Sequence, residues 1–405
     1  MDNNKKGKIL LTHRFFYPDS PTYAHILEHM RVTLQKEGYQ VDVLSTQPSY
    51  KLSDKKKTKK FIEKNDNGST IYRLPVFKLK SRKIEKILNF FWFPLASFFF
   101  QLFSKRYDIV TVATTPPVLY AFSIALISKI RNRKLIYHNM DIHPEIGRLS
   151  GEFENKFIFK SLQWMDNFTC ATASRIIVLS SDMRDVLITR NQKFKDKIDI
   201  INNYDVNSNE KIPGDTFLGE NNKIKVVFTG NIGRFQNLET FILALKEYGC
   251  PKNFELIFVG EGVALDDLKA LAQSFEGCVR FIPHQPMEVA RKIIAEADMG
   301  IVSLEENIIK YAYPSKTMTY LSEGTPMLVC VDKGSELSSF VKQKSVGISI
   351  EPSNLKEIHN IFTSLSTGEL SFDRKHIKEV FNNNFSQKIF DQKLTNLVEN
   401  VMEHK

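Results

Sequence analysis

The 405-residue sequence predicts an α/β protein of two doubly wound, Rossmann-like halves. Short apolar runs alternate with segments of helical period, the pattern of successive βαβ units on a parallel sheet. The alternation stops once, at residues 204–222, which are rich in Asn, Asp, Lys, Pro and Gly, and then starts again. The apolar runs also end repeatedly in polar loops, at the sheet edge where open α/β folds bind ligands.

In the first half, residues 8–12 form a strand and 13–22 a polar loop. Residues 24–37 carry Ile26, Leu27, Met30 and Leu34 at helical spacing, Gly38 closes that helix, and 41–44 is the next strand. The first loop lacks the GxGxxG fingerprint, so a dinucleotide fold of the dehydrogenase type is not expected. Strands at 107–114 and 134–138 end in Thr114-Thr115-Pro116-Pro117 and in the polar stretch from His138 to Glu145, with a helix at 118–130 between them. The loops at 13–22, 114–117 and 138–145 can therefore meet on one rim. A strand at 176–180, a helix from Ser181 and a run at 198–203 complete the half.

Between these elements lies an unusual pair of segments. Residues 51–86 hold thirteen Lys/Arg against four Asp/Glu, and so carry +9 of the net charge of +10. Residues 87–103 follow, with seven phenylalanines and Trp92 in 17 positions, interrupted by Asn89, Pro94 and Gln101. About 20 apolar residues are needed to span a bilayer, so this run is marginal for that task. A buried core helix is one reading. The other, which adjoining basic and aromatic residues favour, is an interfacial segment beside Lys55, Lys56, Lys57, Lys59 and Lys60 on an anionic membrane. A nucleic-acid partner is the remaining use for such a charge, but the aromatics are not interleaved with polar residues for base stacking.

The second half repeats the cycle. Strands are expected at 224–228, 254–259, 279–282 and 299–303, with helices at 238–248, 264–274 and 286–296. Next comes a loop, helix, turn and strand over residues 310–331. Pro314 and Ser315 suit a helix start, Gly324 its end, and residues 327–331 a buried strand. Lys316 falls in the first helical turn, where a cation is disfavoured unless an anion joins it. Two readings stand there: a phosphate ligand, or an exposed lysine on an ordinary crossover. Residues 377–402 read as helix. Cys170, Cys250, Cys278 and Cys330 show no metal or CxxC spacing, so neither a metal site nor a disulfide is expected, and a reducing compartment fits. The basic N-terminal residues run straight into the first strand, with no signal-peptide pattern.

The order of motifs resembles the family-4 retaining glycosyltransferases. The matching pieces are Tyr17-Pro-Asp-Ser20, Thr115-Pro-Pro117, Asp141-Ile-His-Pro-Glu145, Gly230-Asn-Ile-Gly-Arg-Phe-Gln-Asn-Leu-Glu239, Val259-Gly-Glu-Gly262, Ala297-Asp298, Pro314-Ser-Lys316 and Gly324-Thr-Pro326. The subgroup it looks most like carries the Pro-Ser-Lys donor motif and builds bacterial O-antigen and capsule units on lipid carriers, often with amino-deoxyhexoses. The resemblance implies the GT-B architecture, two Rossmann-like domains facing across a cleft: an acceptor domain at 1–203 with a membrane-docking region at 51–103, a linker at 204–222, a donor domain at 223–385, and a terminal helix at 386–405 that returns to the first domain. It further implies a nucleotide-sugar donor, UDP-linked, as substrate, a lipid-linked saccharide acceptor, no bound metal, and a place on the cytoplasmic face of the membrane. One departure stands out. Where the family usually has a pair of donor-site glutamates, this chain has Tyr311 and Thr319.

The chemistry implied is leaving-group stabilisation. Positive charge and N–H donors must meet the diphosphate as negative charge develops on it. Arg234 and Lys316 fit that role, with Gly230, Asn231 and Gly233 giving close backbone approach. Ser20, Glu261, His284, Glu306, Tyr311, Pro314, Ser315 and Thr319 would line the donor site, and Thr115, His138, His143 and Glu145 the acceptor site. Asp141, the third catalytic candidate beside Arg234 and Lys316, could orient the acceptor or a sugar hydroxyl, or only cap a helix; His138 reads better as core than as catalyst; Glu145 could simply favour a helix dipole; His284 could be solvent-exposed. A nucleotide-sugar 2-epimerase, a non-catalytic homologue and a nucleic-acid-binding protein are the alternatives.

Overall fold

The computed structural model describes residues 6–403 apart from 20, 50–59, 65–67, 78–80, 150, 207–215, 220, 221, 274 and 276. Ser20 and Lys55, Lys56, Lys57 and Lys59 therefore lie outside the described residues. The chain divides into two compact units, residues 1–202 with 388–405, and residues 203–387.

The first unit runs β1 (Lys8–Thr12), α1 (Thr22–Lys36), β2 (Gln40–Thr46), β3 (Ile62–Lys64), β4 (Thr70–Leu74), α2 (Arg82–Phe103), β5 (Ile109–Ala113), α3 (Leu119–Ile130), β6 (Lys134–His138), α4 (Glu145–Leu149), α5 (Lys156–Thr172), β7 (Arg175–Val178), α6 (Ser181–Arg190) and β8 (Ile198–Ile200). Its eight strands lie in the order β3-β4-β2-β1-β5-β6-β7-β8, parallel except for β3 against β4. The basic segment contains the β3–β4 edge of this sheet. Every residue of β5 is buried, as expected for a parallel strand covered on both faces. Arg190 holds α4, α5 and α6 together: it pairs with Glu145 and, at 2.5 Å, with fully buried Asp166, which also accepts from the Tyr137 hydroxyl at 2.7 Å.

The second unit runs β9 (Ile224–Thr229), α7 (Glu239–Tyr248), β10 (Phe254–Val259), α8 (Leu265–Ala272), β11 (Val279–Ile282), α9 (Met287–Glu296), β12 (Met299–Ser303), α10 (Lys316–Glu323), β13 (Met327–Cys330), α11 (Glu336–Lys344), β14 (Gly347–Ile350), α12 (Leu355–Ser366) and α13 (Arg374–Asn384). Its six strands are all parallel, in the order β11-β10-β9-β12-β13-β14. Phe241 and Phe254 pack on Phe362 in the core, joining α7 and β10 to α12. Burial of such a side chain contributes about 1.5–3 kcal/mol.

Two expectations are corrected here. Residues 377–402 are not one helix: α13 stops at Asn384, and α14 (Gln387–Glu403) begins anew. Asn384 turns its side-chain amide back onto the Val380 carbonyl at 2.7 Å and Ser386 its hydroxyl onto the Asn382 carbonyl at 2.7 Å, local bonds of the kind that unsettle helix ends. The break lets α14 pack with the first unit, through Lys6–Glu399 and His29–Asp391. The second correction is a disulfide between Cys250 and Cys278, their Cα atoms 6.4 Å apart. Cys250 follows α7 and Cys278 precedes β11, so the parallel topology brings both to the same edge of the sheet. A separation of 28 positions carries no motif from which this could be read.

Candidate functional site

In the second sheet the chain leaves β9 for β10 and β11 on one side, then crosses to β12, β13 and β14 on the other. The loops after β9 and β12 therefore flank a topological switch point, the place where such sheets bind ligands. They touch directly: the Glu305 N–H donates to the Phe235 carbonyl at 2.7 Å. The β9 loop is also zipped to the β10 loop, through Gly230 N–H to Val259 O (2.9 Å) and Ile232 N–H to Glu261 O (2.9 Å). This approach demands a glycine at 260, since a Cβ there would stand 1.9 Å from the Gly230 carbonyl oxygen.

Lys316 is the first residue of α10, and its ammonium reaches back over this loop. Nζ lies 4.5 Å from the centre of the Phe228 ring and 3.3 Å from where a Cβ on Gly230 would be. Gly230 itself has φ +118°, so it is left bare for two reasons, its backbone and its neighbour. The surrounding protein pushes the Lys316 ammonium down to about 8 by desolvation. No carboxylate forms a salt bridge with it among the described residues, so a half-buried, desolvated cation stands beside exposed Gly230 and Asn231 with its charge uncompensated.

The other predicted residues fall into place around this centre, with adjustments. Arg234 is exposed and opens a single 3-10 turn, Arg234–Gln236, which places it ahead of α7 without making it part of that helix. Gly233 donates its N–H to the Gln236 side chain at 2.8 Å. Ser315 precedes α10 but makes no side-chain cap, so the expected hydroxyl-to-N–H bond is absent; the Pro314 and Ser315 carbonyls instead accept from Thr317 and Met318. Gly324 closes α10 in the left-handed conformation. Glu306 and Glu261 are exposed, Tyr311 and Thr319 half-buried, and His284 lies exposed beyond β11. Glu305 has its carboxyl raised, by desolvation first and then by the negative charge of Glu239 at the start of α7.

Two supporting groups have no local sequence signal. The Tyr320 hydroxyl accepts from the Thr229 N–H at 3.1 Å, and its ring lies against Gly300, which fixes α10 to β9 and β12. Arg291 of α9 is buried between Asp205, at 2.6 Å, and Glu323. Removing either kind of contact would let the turn that carries Lys316 drift.

In the first unit the switch point lies between β1 and β5, and the loops after β1, β5 and β6 share that edge. Here Tyr23 OH lies 2.9 Å from His138 Nδ1, and its ring packs on His13 at 4.7 Å. Desolvation pushes both imidazoles down, His13 to about 4 and His138 to about 3, so both are neutral at pH 7. The Nε2 of His138 and the side-chain amide of fully buried Asn139 find no hydrogen-bond partner among the described residues. Asp141 is half-buried, and desolvation pushes its carboxyl up to about 6. Thr115 is half-buried in the loop after β5. Desolvation also lowers the His143 ring to about 4, and the His143 carbonyl accepts from Arg190 at 2.8 Å. Glu145 is engaged by Arg190 and by Gln163 at 2.9 Å, so its carboxylate serves the α4–α5–α6 packing. His13, Tyr23 and Asn139 were not picked out from the sequence.

Residues 25–204 match the family described as Glycosyltransferase Family 4. A probable glycosyltransferase of Pseudomonas aeruginosa, WbjE, is 23% identical over 322 residues, covering 77% of this chain and 78% of its own length. A putative colanic acid biosynthesis glycosyl transferase of Escherichia coli K12, WcaI, is 20% identical over 375 residues, covering 87% and 90%. Among solved structures, Anabaena HepE in complex with UDP-glucose superposes with a TM-score of 0.68 at 15% identity, covering 97% of this chain and all of that one. The fold is GT-B: two Rossmann-like domains, each with a mostly parallel sheet between helices.

Proposed function

We propose that the chain is a retaining glycosyltransferase that moves a sugar from a nucleotide-sugar donor to a lipid-linked saccharide in bacterial surface-polysaccharide assembly. The observation that carries this is Lys316, a cation desolvated without a carboxylate and held against an open glycine loop at the switch point of the second sheet. A diphosphate supplies the missing negative charge. Arg234, exposed on its turn, adds a second cation on the same ligand. Together they stabilise the leaving group as the anomeric C–O bond breaks and its electron pair passes to the phosphate. The acceptor hydroxyl then bonds to the anomeric carbon on the same face and gives its proton to that phosphate oxygen. Both relatives named above are described as glycosyltransferases, one in colanic acid biosynthesis, and the Anabaena neighbour holds UDP-glucose. These likenesses support a UDP-linked donor. In this reading Glu305, near Glu239, takes the sugar or ribose hydroxyls for which Tyr311 and Thr319 offer no carboxylate. Asp141 and the neutral His13–Tyr23–His138 group orient the acceptor hydroxyl.

The membrane part of the reading rests on α2. Ile84, Leu88, Phe91, Leu95, Phe99 and Phe103 are exposed at intervals of three or four, with Ile87 exposed beside Leu88, one continuous apolar stripe. The opposite side is occupied, with Phe93 buried and stacked on Tyr120 of α3 at 4.4 Å. Such a helix can lie in the interface plane while staying attached to its domain, on the cytoplasmic side where donors are made.

Incubation with a panel of nucleotide sugars, with and without lipid-linked acceptors, tests the reading. Acceptor-dependent release of nucleoside diphosphate is expected, with the anomeric configuration kept. Donor isomerisation without an acceptor would instead identify an epimerase.

A further inference from the structure

The first unit has a second feature, at the other edge of its sheet from the His138 and Asp141 loops. A cavity of about 1030 Å³ opens among the segments that lead into β5, β6 and β7 and the end of α14. Six cations line it, Lys6, Arg106, Lys129, Arg133, Lys134 and Arg175, with Asp108 as the one carboxylate. One oxygen of that carboxylate accepts from the Lys8 N–H at 2.8 Å. Two of the cations have carboxylate partners, Glu399 for Lys6 and Asp199 for Arg175. Lys134 is spent on the last carbonyls of α14, Val401 and Met402. Arg106 and Lys129 are exposed and form no salt bridge among the described residues. Two buried polar atoms in the lining also have no hydrogen-bond partner among the described residues, the Ser128 hydroxyl and the Arg133 Nε. Arg133 is pressed by the charges of Arg131 and Arg106 as well as by desolvation. A cavity with surplus positive charge, an unpartnered hydroxyl and an unpartnered guanidinium N–H has the donors that a phosphate monoanion or diester accepts.

Its position says where that phosphate comes from. Arg133 donates to Gln101 Oε1 at 3.2 Å and to the Ser104 hydroxyl at 3.3 Å, and Arg131 to the Leu102 carbonyl at 2.7 Å. The cavity thus adjoins the C-terminal end of α2, where Phe103 is 81% exposed and closes the apolar stripe. We propose that the cavity seats the phosphate headgroup of an anionic phospholipid as the α2 stripe lies on the bilayer. The inference rests on the membrane part of the function proposed above, and is separate from its donor chemistry. It gives the domain a lipid preference that a merely basic surface lacks, because the charge sits in a recess with hydrogen-bond donors.

The test uses the full chain and short-chain phosphatidylglycerol below its micelle concentration, followed by calorimetric titration. Wild type is expected to bind saturably, and at least tenfold more tightly than it binds inorganic phosphate. The Arg106→Gln/Lys129→Gln double variant alters two exposed side chains, so it should keep its melting temperature and lose at least tenfold in affinity. Ser128→Ala, which removes only the hydroxyl, is expected to lose affinity in the same direction. Glutamine at positions 55, 56, 57, 59 and 60 should leave the soluble lipid's affinity unchanged while weakening recruitment to vesicles of phosphatidylcholine and phosphatidylglycerol. Equal binding by wild type and the double variant, or loss with the five-lysine variant instead, would overturn the cavity. Binding no tighter than that of inorganic phosphate would overturn the lipid as its occupant. UDP-dependent thermal stabilisation, read on the same samples, reports the donor site independently.

Discussion

At the scale of single residues, Lys316 has consequences that can be measured separately from folding. A base whose pKa is lowered on folding disfavours the charged folded state, so the ligand-free protein gains stability as pH rises from about 8 toward the unfolded value. Lys316→Met should therefore leave the melting temperature at pH 7 unchanged or raise it. The same substitution should lower kcat/KM by two or more orders of magnitude, as expected for a desolvated charged contact made to the leaving group. UDP affinity of the wild type should fall as pH rises above about 8, since the ammonium must be protonated to bind; titrations at pH 7, 8 and 9 check this, and a flat profile would remove Lys316 from the site. Asp141 has the opposite sign. If it must be ionised, activity falls as pH drops below about 6, and Asp141→Asn abolishes that limb with little change in stability. Gly230 and Asp141 were legible because each lies at a motif just past a strand end, and Lys316 because it opens a helix after Pro314 and Ser315. His13, Tyr23 and Tyr320 were not, because their roles depend on partners far along the chain: Tyr23 meets His138 across 115 positions and Tyr320 meets Thr229 across 91.

Elements are where periodicity is most informative, and also where it misled. The alternation of apolar runs and helical segments located most strands within a residue or two, because parallel strands buried on both faces leave little choice of residue. It failed at residues 385–386, where side-chain bonds to the backbone end α13 against the apolar period, and it left the β3–β4 edge unread because basic residues dominate that stretch. For α2, composition alone left a core helix and an interfacial one both open; in the structure its two faces differ, with Phe93 buried and Phe91, Leu95, Phe99 and Phe103 exposed. Phe91→Ser with Phe99→Ser should leave the melting temperature within a few degrees and reduce vesicle co-sedimentation severalfold. Retained binding would move the docking surface elsewhere. The α4–α5–α6 corner makes the contrasting prediction. Arg190→Leu leaves Asp166 charged and buried and should cost about 3–5 kcal/mol in urea unfolding, an effect on stability with no charge added to the site.

For the whole molecule, the two repeated α/β cycles were visible in the sequence because the polar linker interrupts them once, and the shared switch-point logic then located the candidate loops in each sheet. The Cys250–Cys278 bond was not visible, since topology and not spacing brings those thiols together. The allegiance of α14 matters most at this scale. It buries Phe390, Leu394, Leu397, Val398 and Val401, each worth about 1.5–3 kcal/mol, within a unit that otherwise ends at residue 202. Truncation after residue 386 should therefore lower the melting temperature of the first unit by ten degrees or more while the second unit's UDP-induced shift survives, as two-transition calorimetry would show. That arrangement also has a consequence in time. During synthesis the first domain emerges early but cannot complete itself until the 185 residues 203–387 have been made. At about 5–20 residues per second this is a wait of roughly 10–40 s, spent with an apolar groove open to whatever the cell offers. The domain made first is thus among the last to finish folding, and a trigger-factor-like chaperone that shields nascent chains should raise the yield of soluble protein.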